Sequence, residues 1–364
     1  MFKSLTIERY RGIEKLHIDD LKRVNLFVGE NNSGKTSVLE AFYLNMHAVD
    51  ARVAAGINSL RQMFKFIPDR WELFFHNMTV KKPIAIHSEF DGQERLLKIS
   101  LREIRDEGDF SIDLSMSEKK VVEPGKYVGW NFDFSLKEPQ TEWMTFHSHL
   151  KDTVLKSNQI QMNYKVDTKG SPYFVQGSFI GSSNPINDAL LLQWVKEQQI
   201  NKKISKIIPI LNNIDPKIQT IIADADGIIR VDIGLGSLVP LNVVGAGTAR
   251  VLFILLAISN LQGSILLIDE IENGLHPNSQ RVLWEAIFRA AKEFNVQVFA
   301  TTHSQDCLNA VTEVYQKLDK EDFFKEESDV FRMFRVSNRD NVHQVVKYTE
   351  ERLKSSLEGG WEVR

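Results

Sequence analysis

Gly29-Glu30-Asn31-Asn32-Ser33-Gly34-Lys35-Thr36 fits the pattern G-x-x-x-x-G-K-[ST], and it stands between a strand-like run, Val24-Asn25-Leu26-Phe27-Val28, and a helix-like run that opens at Ser37. Glycines let such a loop curl until successive backbone N–H groups point inward at phosphate oxygens. Lys35 adds a point charge for the β- and γ-phosphates, and the Thr36 hydroxyl can hold Mg²⁺. The N-terminal end of the following helix, Ser37-Val38-Leu39-Glu40-Ala41-Phe42, supports the same anion site with its dipole. Asn31, Asn32, Ser33, Gly34, Lys35, Thr36 and Ser37 are therefore the candidate nucleotide contacts. A Gly/Asn-rich surface turn is the competing reading, and the strand before and helix after the loop argue against it.

The chain has 364 residues, 43% of them hydrophobic, which is ample for a sizeable core in one or two domains. Its formal net charge of −3 excludes a basic shell that binds nucleic acid by charge alone, so any DNA contact has to be regional. A lone cysteine, Cys307, rules out an intrachain disulfide and fits a reducing compartment. Met1 leads directly into the strand-like Phe2–Ile7 with no leader, and no apolar run reaches the roughly 18 residues of a membrane span. A cytoplasmic protein without membrane contact is expected.

Along the chain, Phe2–Ile7, Ile13–Ile18 and Val24–Val28 read as strands. Residues 51–77 read as an aromatic-rich helical cover packed on a core. An antiparallel section comes next: Ile84–Phe90, the turn Asp91-Gly92-Gln93, Leu96–Leu101, Phe110–Leu114 and Tyr127–Leu136. Pro185–Gln199 and Asn201–Asn213 read as helices, the second kinked at Pro209; Lys202, Lys203 and Lys206 on it read as a solvated face. Strands resume over Ile218–Ala223, Ile228–Ile233 and Leu238–Val244, before a long apolar helix over Thr248–Asn260. No repeat or sustained heptad pattern is present.

Ile265-Leu266-Leu267-Ile268-Asp269-Glu270 has the form of a buried parallel strand delivering two carboxylates at its end. Asp269 suits Mg²⁺, and Glu270 suits the polarisation of an attacking water. Val296–Ser304 repeats the design with His303 at the strand end, placed to donate to a γ-phosphate. Gly245-Ala246-Gly247-Thr248, before the long apolar helix, offers a second set of helix-end N–H groups for an anion, with Gly245, Gly247 and Thr248 as candidate contacts. One molecule needs one phosphate cradle, so the second suggests service to a partner subunit's nucleotide.

With these four motifs in this order, the chain resembles the ABC-type ATPases of the OLD, RecF and SMC/Rad50 kind over roughly residues 1–50 and 215–310. Asp269-Glu270-Ile271-Glu272-Asn273-Gly274-Leu275-His276-Pro277 is similar to the OLD-type stretch, while Gly245-Ala246-Gly247-Thr248 departs from the family's Ser-Gly-Gly signature in lacking its serine. By the same resemblance Arg11 stands for an early basic residue near the nucleotide, and Gln176 for the glutamine that senses Mg²⁺. The resemblance implies an α/β fold: a P-loop, ABC-type ATPase head with an antiparallel β lobe and an inserted helical subdomain. Residues 1–50 would form its N-terminal part, 51–217 the inserted cover, β section and helical arm, and 218–364 its C-terminal part. It further implies a homodimer or higher homo-oligomer closing head to tail on ATP and Mg²⁺.

The leading expectation is an ATPase acting as a nucleotide-gated sensor or scaffold in an anti-phage defence module, as in OLD-type or PARIS-type systems. Too few residues come after His303 for a fused Toprim nuclease, which needs on the order of 100 residues, so a separate Toprim-like or other nuclease effector is expected as partner. Asp319, Asp322 and Asp329 read as a polar connector. The alternative is a RecF/SMC-like repair ATPase that clamps DNA directly; a transport ATPase fits worst.

Overall fold

The computed structural model describes residues 1–48, 53–54, 56–57, 61, 71–105, 127–137, 144–151, 153–154, 160–161, 175–182, 188–212, 216–325 and 330–349. Two six-stranded sheets organise them. The first is antiparallel, in the order β2-β1-β4-β5-β6-β7, with β1 Phe2–Tyr10, β2 Ile13–Ile18, β4 Ile84–Phe90, β5 Gln93–Arg105, β6 Tyr127–Lys137 and β7 Met144–Lys151. The second has the order β10-β14-β15-β3-β16-β17, with β3 Val24–Val28, β10 Gly177–Ile180, β14 Ile265–Ile268, β15 Gln297–Thr302, β16 Phe331–Arg339 and β17 Val342–Tyr348. All its pairings are parallel except the β16–β17 hairpin at one edge. Small accessory sheets are formed by β8 (Thr153–Val154) with β9 (Ile160–Gln161), and by β11 (Thr220–Ala223), β12 (Ile229–Asp232) and β13 (Val239–Pro240).

The parallel sheet is covered on both faces, which is why β3, β14 and β15 are buried at every position. Period-two alternation divides their side chains between two cores. Phe27, Leu267, Phe299 and Phe334 join the antiparallel sheet and α1 (Lys35–Met46) on one face. Leu26, Leu266, Val298 and Met333 join α2 (Asp188–Ile200), α3 (Ile204–Leu211), α5 (Ala246–Asn260), α6 (Pro277–Glu293) and α7 (Gln305–Lys320) on the other. On the α1 face Phe42 and Phe299 meet at 4.3 Å between ring centroids, and Phe27 stacks on Phe334 at 5.3 Å. The two sheets are also tied by a buried amide: the Phe2 N–H donates to Gln297 Oε1 at 2.7 Å, and Gln297 Nε2 donates to the Phe2 carbonyl at 2.9 Å.

Several expected elements appear with changed limits. The Asp91-Gly92 turn has φ of 49° and 76°, the left-handed pair that a tight hairpin between β4 and β5 requires. Leu238–Val244 is not one strand: β13 ends at Pro240, and Leu241–Val244 forms the short helix α4, because Pro240 has no N–H for a further ladder bond. Pro209 sits inside α3, which spans Ile204–Leu211 rather than the expected Asn201–Asn213. Residues 71–78 form two 3₁₀ turns rather than an α-helix, interrupted by Asn77 and Met78 at positive φ; Phe74 and Phe75 are core residues there. Phe110–Leu114 and Asp329 lie outside the described residues. In the topology β4–β7 extend the sheet begun by β1 and β2, and β10 belongs to the parallel sheet.

Cys307 lies at 1% exposure in the helix-side core, where its Sγ accepts the Trp284 indole N–H at 3.3 Å, and burial pushes its pKa up to about 12. The native thiol is therefore neutral at pH 8 and inert to iodoacetamide, whereas the chain in denaturant alkylates fully; rapid native labelling detected by mass spectrometry would contradict this packing.

Candidate functional site: a phosphate loop facing two acids

Because β3, β14 and β15 run in parallel, Val28, Ile268 and Thr302 end at one edge of the sheet, and the residues just beyond each strand gather there. After β3 the loop turns through Gly29 (φ 149°), Asn32 (φ 64°) and Gly34 (φ 100°) into α1. No side chain caps this helix and no acid occupies its first turn, so its N–H groups stay available to an anion. Asn31 and Asn32 are exposed at the tip; Ser33 is buried and its Oγ has no hydrogen-bond partner among the described residues. Lys35 folds back over the loop and donates to the carbonyls of Gly29 at 2.8 Å and Glu30 at 2.7 Å. Burial holds its pKa below the usual lysine value, against the opposing fields of Asp269, Glu272, Glu270 and Glu30. Ser37 is buried in the first turn of α1.

The two expected metal-binding residues meet. Thr36 Oγ lies 3.1 Å from each carboxylate oxygen of Asp269, across 233 positions of sequence. Thr301, a residue the sequence reading passed over, completes the arrangement: its hydroxyl donates to Asp269 at 2.6 Å and accepts the Glu270 N–H at 2.8 Å. Burial raises the Asp269 pKa despite the hydrogen bonds from Thr301 and Thr36. Glu270 is also raised, first by burial and then by the charge of Asp269, and its backbone is left-handed at φ 48°. Two destabilised carboxylates beside a hydroxyl form a hard oxygen donor set that a divalent cation fits, and the unpartnered Ser33 Oγ and carbonyl-bound Lys35 fit a phosphate.

His303 comes directly after β15 at the same edge and is 46% exposed. Glu272 holds it twice: Glu272 Oε1 accepts the His303 backbone N–H at 3.0 Å and lies 3.3 Å from Nδ1. The only sequence signal for Glu272 is its place in Asp269-Glu270-Ile271-Glu272, two positions beyond the acids.

Two expected residues stand elsewhere. Gln176 precedes β10, and its carbonyl accepts the N–H of Ile265, the first residue of β14. It is thus at the amino edge of the sheet, opposite the phosphate loop; the carboxyl end of β10 leads into Gly181 and Ser182 instead. Arg11 is engaged with α1 rather than turned to the loop: its Nε donates to Glu40 at 2.8 Å and to the Tyr10 hydroxyl at 3.2 Å, and its guanidinium covers the Phe74 ring at 4.8 Å. Glu40, one turn beyond Thr36, also pairs with Arg61. Gly245, Gly247 and Thr248 begin α5 on the sheet face opposite α1, with Gly247 against Leu275 and Ser279.

The loop is also fixed from its far side. A Cβ at Gly29 would stand 2.2 Å from the Val336 carbonyl of β16, and one at Gly34 would stand 3.0 Å from the ring of His343 on β17. Gly29→Ala is expected to cost about 1–3 kcal/mol of stability and to weaken nucleotide binding, because neither the φ of 149° nor the backbone contact tolerates the methyl group. Urea unfolding checks it; an unchanged midpoint would mean that β16 moves freely away from the loop.

A parallel sheet carrying the phosphate loop, acids and histidine at one edge, backed by an antiparallel lobe, defines a P-loop NTPase of the SMC-head fold. The structure of an Smc head bound to the C-terminal winged-helix domain of ScpA matches it with a TM-score of 0.51 at 13% identity, over 97% of this chain and 99% of that one. The chain belongs to the AAA-domain family described as "AAA domain, putative AbiEii toxin, Type IV TA system", which matches residues 24–308. Among curated relatives, a Helicobacter pylori protein named ATP/GTP phosphatase is 25% identical over 344 residues, 88% of this chain and 90% of its own length. The RecF DNA replication and repair protein of Pseudoalteromonas translucida is 29% identical over 92 residues, a quarter of each chain. The chain is thus an AAA-domain protein with the SMC-head fold. Among the described residues no helix is long and apolar enough to cross a membrane.

Proposed function

We propose that the chain binds ATP with Mg²⁺ and hydrolyses it, working as a nucleotide-gated homodimer. The observation that carries this is the meeting of Thr36 and Asp269 beside Lys35 at the mouth of α1. Bound Mg²⁺, held by Thr36 and Asp269, supplies charge neutralisation for the phosphates. Lys35 and the first-turn N–H groups of α1 bind and orient the phosphates. Glu270 takes the proton of the attacking water, and His303, steadied by Glu272, donates to the terminal phosphate.

Support for dimer formation comes from the α5 end. Arg250, on the first turns of α5, is 8% exposed, and its Nε and Nη2 have no hydrogen-bond partner among the described residues. A buried guanidinium lacking an acid calls for an anion from elsewhere, which fits a partner's nucleotide presented to Gly245, Gly247 and Thr248.

In this reading the closed dimer signals to a separate nuclease effector, Toprim-like or otherwise, in an antiviral defence module, and the chain itself cuts no nucleic acid. The family's printed link to a toxin–antitoxin system favours such a setting. The RecF match favours a second reading, in which the closed dimer clamps DNA. The test is light scattering with and without ATP, and then mixing of a Glu270→Gln chain with a Gly247→Asp chain. ATP-dependent dimers are expected, with hydrolysis absent from each variant alone and regained on mixing. A monomer at all ATP concentrations would sink the gated dimer. ATP-dependent retention of linear duplex DNA by the wild type would favour the clamp.

A further inference from the structure

The phosphate site has a direction. Asp269, Glu270 and His303 all lie just past strands on the β14–β15 side of β3, so the terminal phosphate of a nucleoside triphosphate faces that side and its nucleoside leaves toward the other. There β16 pairs with β3 as far as Arg335 opposite Val28, then runs on to Arg339, past the point where β3 turns into the loop. Between this overhang and the loop lies a pocket of about 230 Å³, with Glu30, Asn31 and Ser33 on one side and Arg335, Asn338 and Arg339 on the other. The close approach of Val336 to Gly29 holds the two walls in register.

Among the described residues neither Arg335 nor Arg339 has a carboxylate or hydrogen-bond partner. Two unpaired guanidinium groups by themselves suggest an anion. The carboxylate of Glu30 in the same lining argues against a second phosphate, and the amides of Asn31 and Asn338 add both donors and acceptors. Such a mixture matches a neutral group with donors on one edge and acceptors on another. Guanidinium planes also stack on flat rings, which matters in a pocket lined by no aromatic side chain among the described residues. We propose that this pocket is the nucleoside subsite, in which Arg335 and Arg339 hold the base and ribose of the nucleotide whose phosphates occupy the loop. The proposal rests on the reading that the loop binds ATP.

The test compares ATP with inorganic tripolyphosphate, which carries the phosphates without the nucleoside. Affinities of both, with Mg²⁺, are measured by calorimetry for the wild type, an Arg335→Ala/Arg339→Ala double variant, and Asn338→Trp, which fills the pocket from an exposed position. Melting curves verify that each variant is folded. Both variants are expected to weaken ATP by about tenfold, the arginine variant through the loss of one or two charge-assisted contacts and Asn338→Trp by occupying the pocket, and to leave tripolyphosphate unchanged. Unchanged ATP affinity in both variants would overturn the subsite while leaving the phosphate site intact. A parallel loss for ATP and tripolyphosphate in the arginine variant would overturn it too, since the charge would then serve the phosphates. A wild type that binds neither compound would overturn the nucleotide reading, and the subsite with it.

Discussion

Replacing Glu270 by Gln is expected to leave ATP binding intact and to slow hydrolysis by about 10²–10⁴-fold, the usual contribution of a positioned general base. The substitution keeps size and shape. The bond that anchors this position, from the backbone N–H to Thr301 Oγ at 2.8 Å, does not involve the side chain. The change removes a carboxylate whose affinity for a proton is raised by burial and by the adjacent charge of Asp269. The left-handed backbone at φ 48° is a conformation that costs free energy in a non-glycine residue, and it is retained where the carboxylate leaves the strand. Phosphate release in a single turnover, set beside equilibrium binding of ATP, separates the two effects. Hydrolysis near the wild-type rate would place the base elsewhere, and His303→Ala would be the next variant to assay.

The second large effect is expected at Lys35. Its ammonium is buried against two neutral carbonyls, and burial lowers its pKa although four acids oppose that shift. A cation so placed gains most from a phosphate oxygen, and charge-assisted bonds in a shielded site are roughly twice as strong as neutral ones. Lys35→Ala is expected to weaken ATP binding by about 100-fold, a loss of about 3 kcal/mol. It also deletes the two bonds that close the loop on itself, so the residual affinity should depend on the α1 amides and on Thr36. Wild-type affinity in a calorimetric titration would remove the phosphate-loop assignment altogether.

Much of this site is legible in linear order because its chemistry is local. The glycine spacing from Gly29 to Gly34 and the lysine and hydroxyl after it serve one short turn, so the pattern carries its own physical reason. The same holds for Asp269 and Glu270, since a continuous apolar run of four residues ending in acids suits a strand buried on both faces. His303 is readable by the same logic at the end of β15. The alternation in β1, β2 and β4 also specifies the antiparallel lobe.

The rest depends on which strands become neighbours, and spacing does not encode that. Gln176 sits beside a plausible strand, but the parallel pairing of Gly177 with Ile265 sends it to the wrong edge of the sheet. Arg11 is basic and near the start of the chain; only the packing of α1 shows that Glu40 takes its charge. Thr301 and Glu272 are ordinary polar residues in the sequence, and they become site residues because β14 and β15 end side by side. Most of all, nothing in Phe331–Tyr348 marks it as part of a nucleotide site. Its parallel seat against β3 is decided by burial of Phe334 and Met333 on opposite faces of the sheet, and that seat alone carries Arg335, Arg339 and His343 to the loop at Gly29 and Gly34. Local chemistry is written in sequence, whereas the company each strand keeps is set by long-range burial, which only the folded chain resolves.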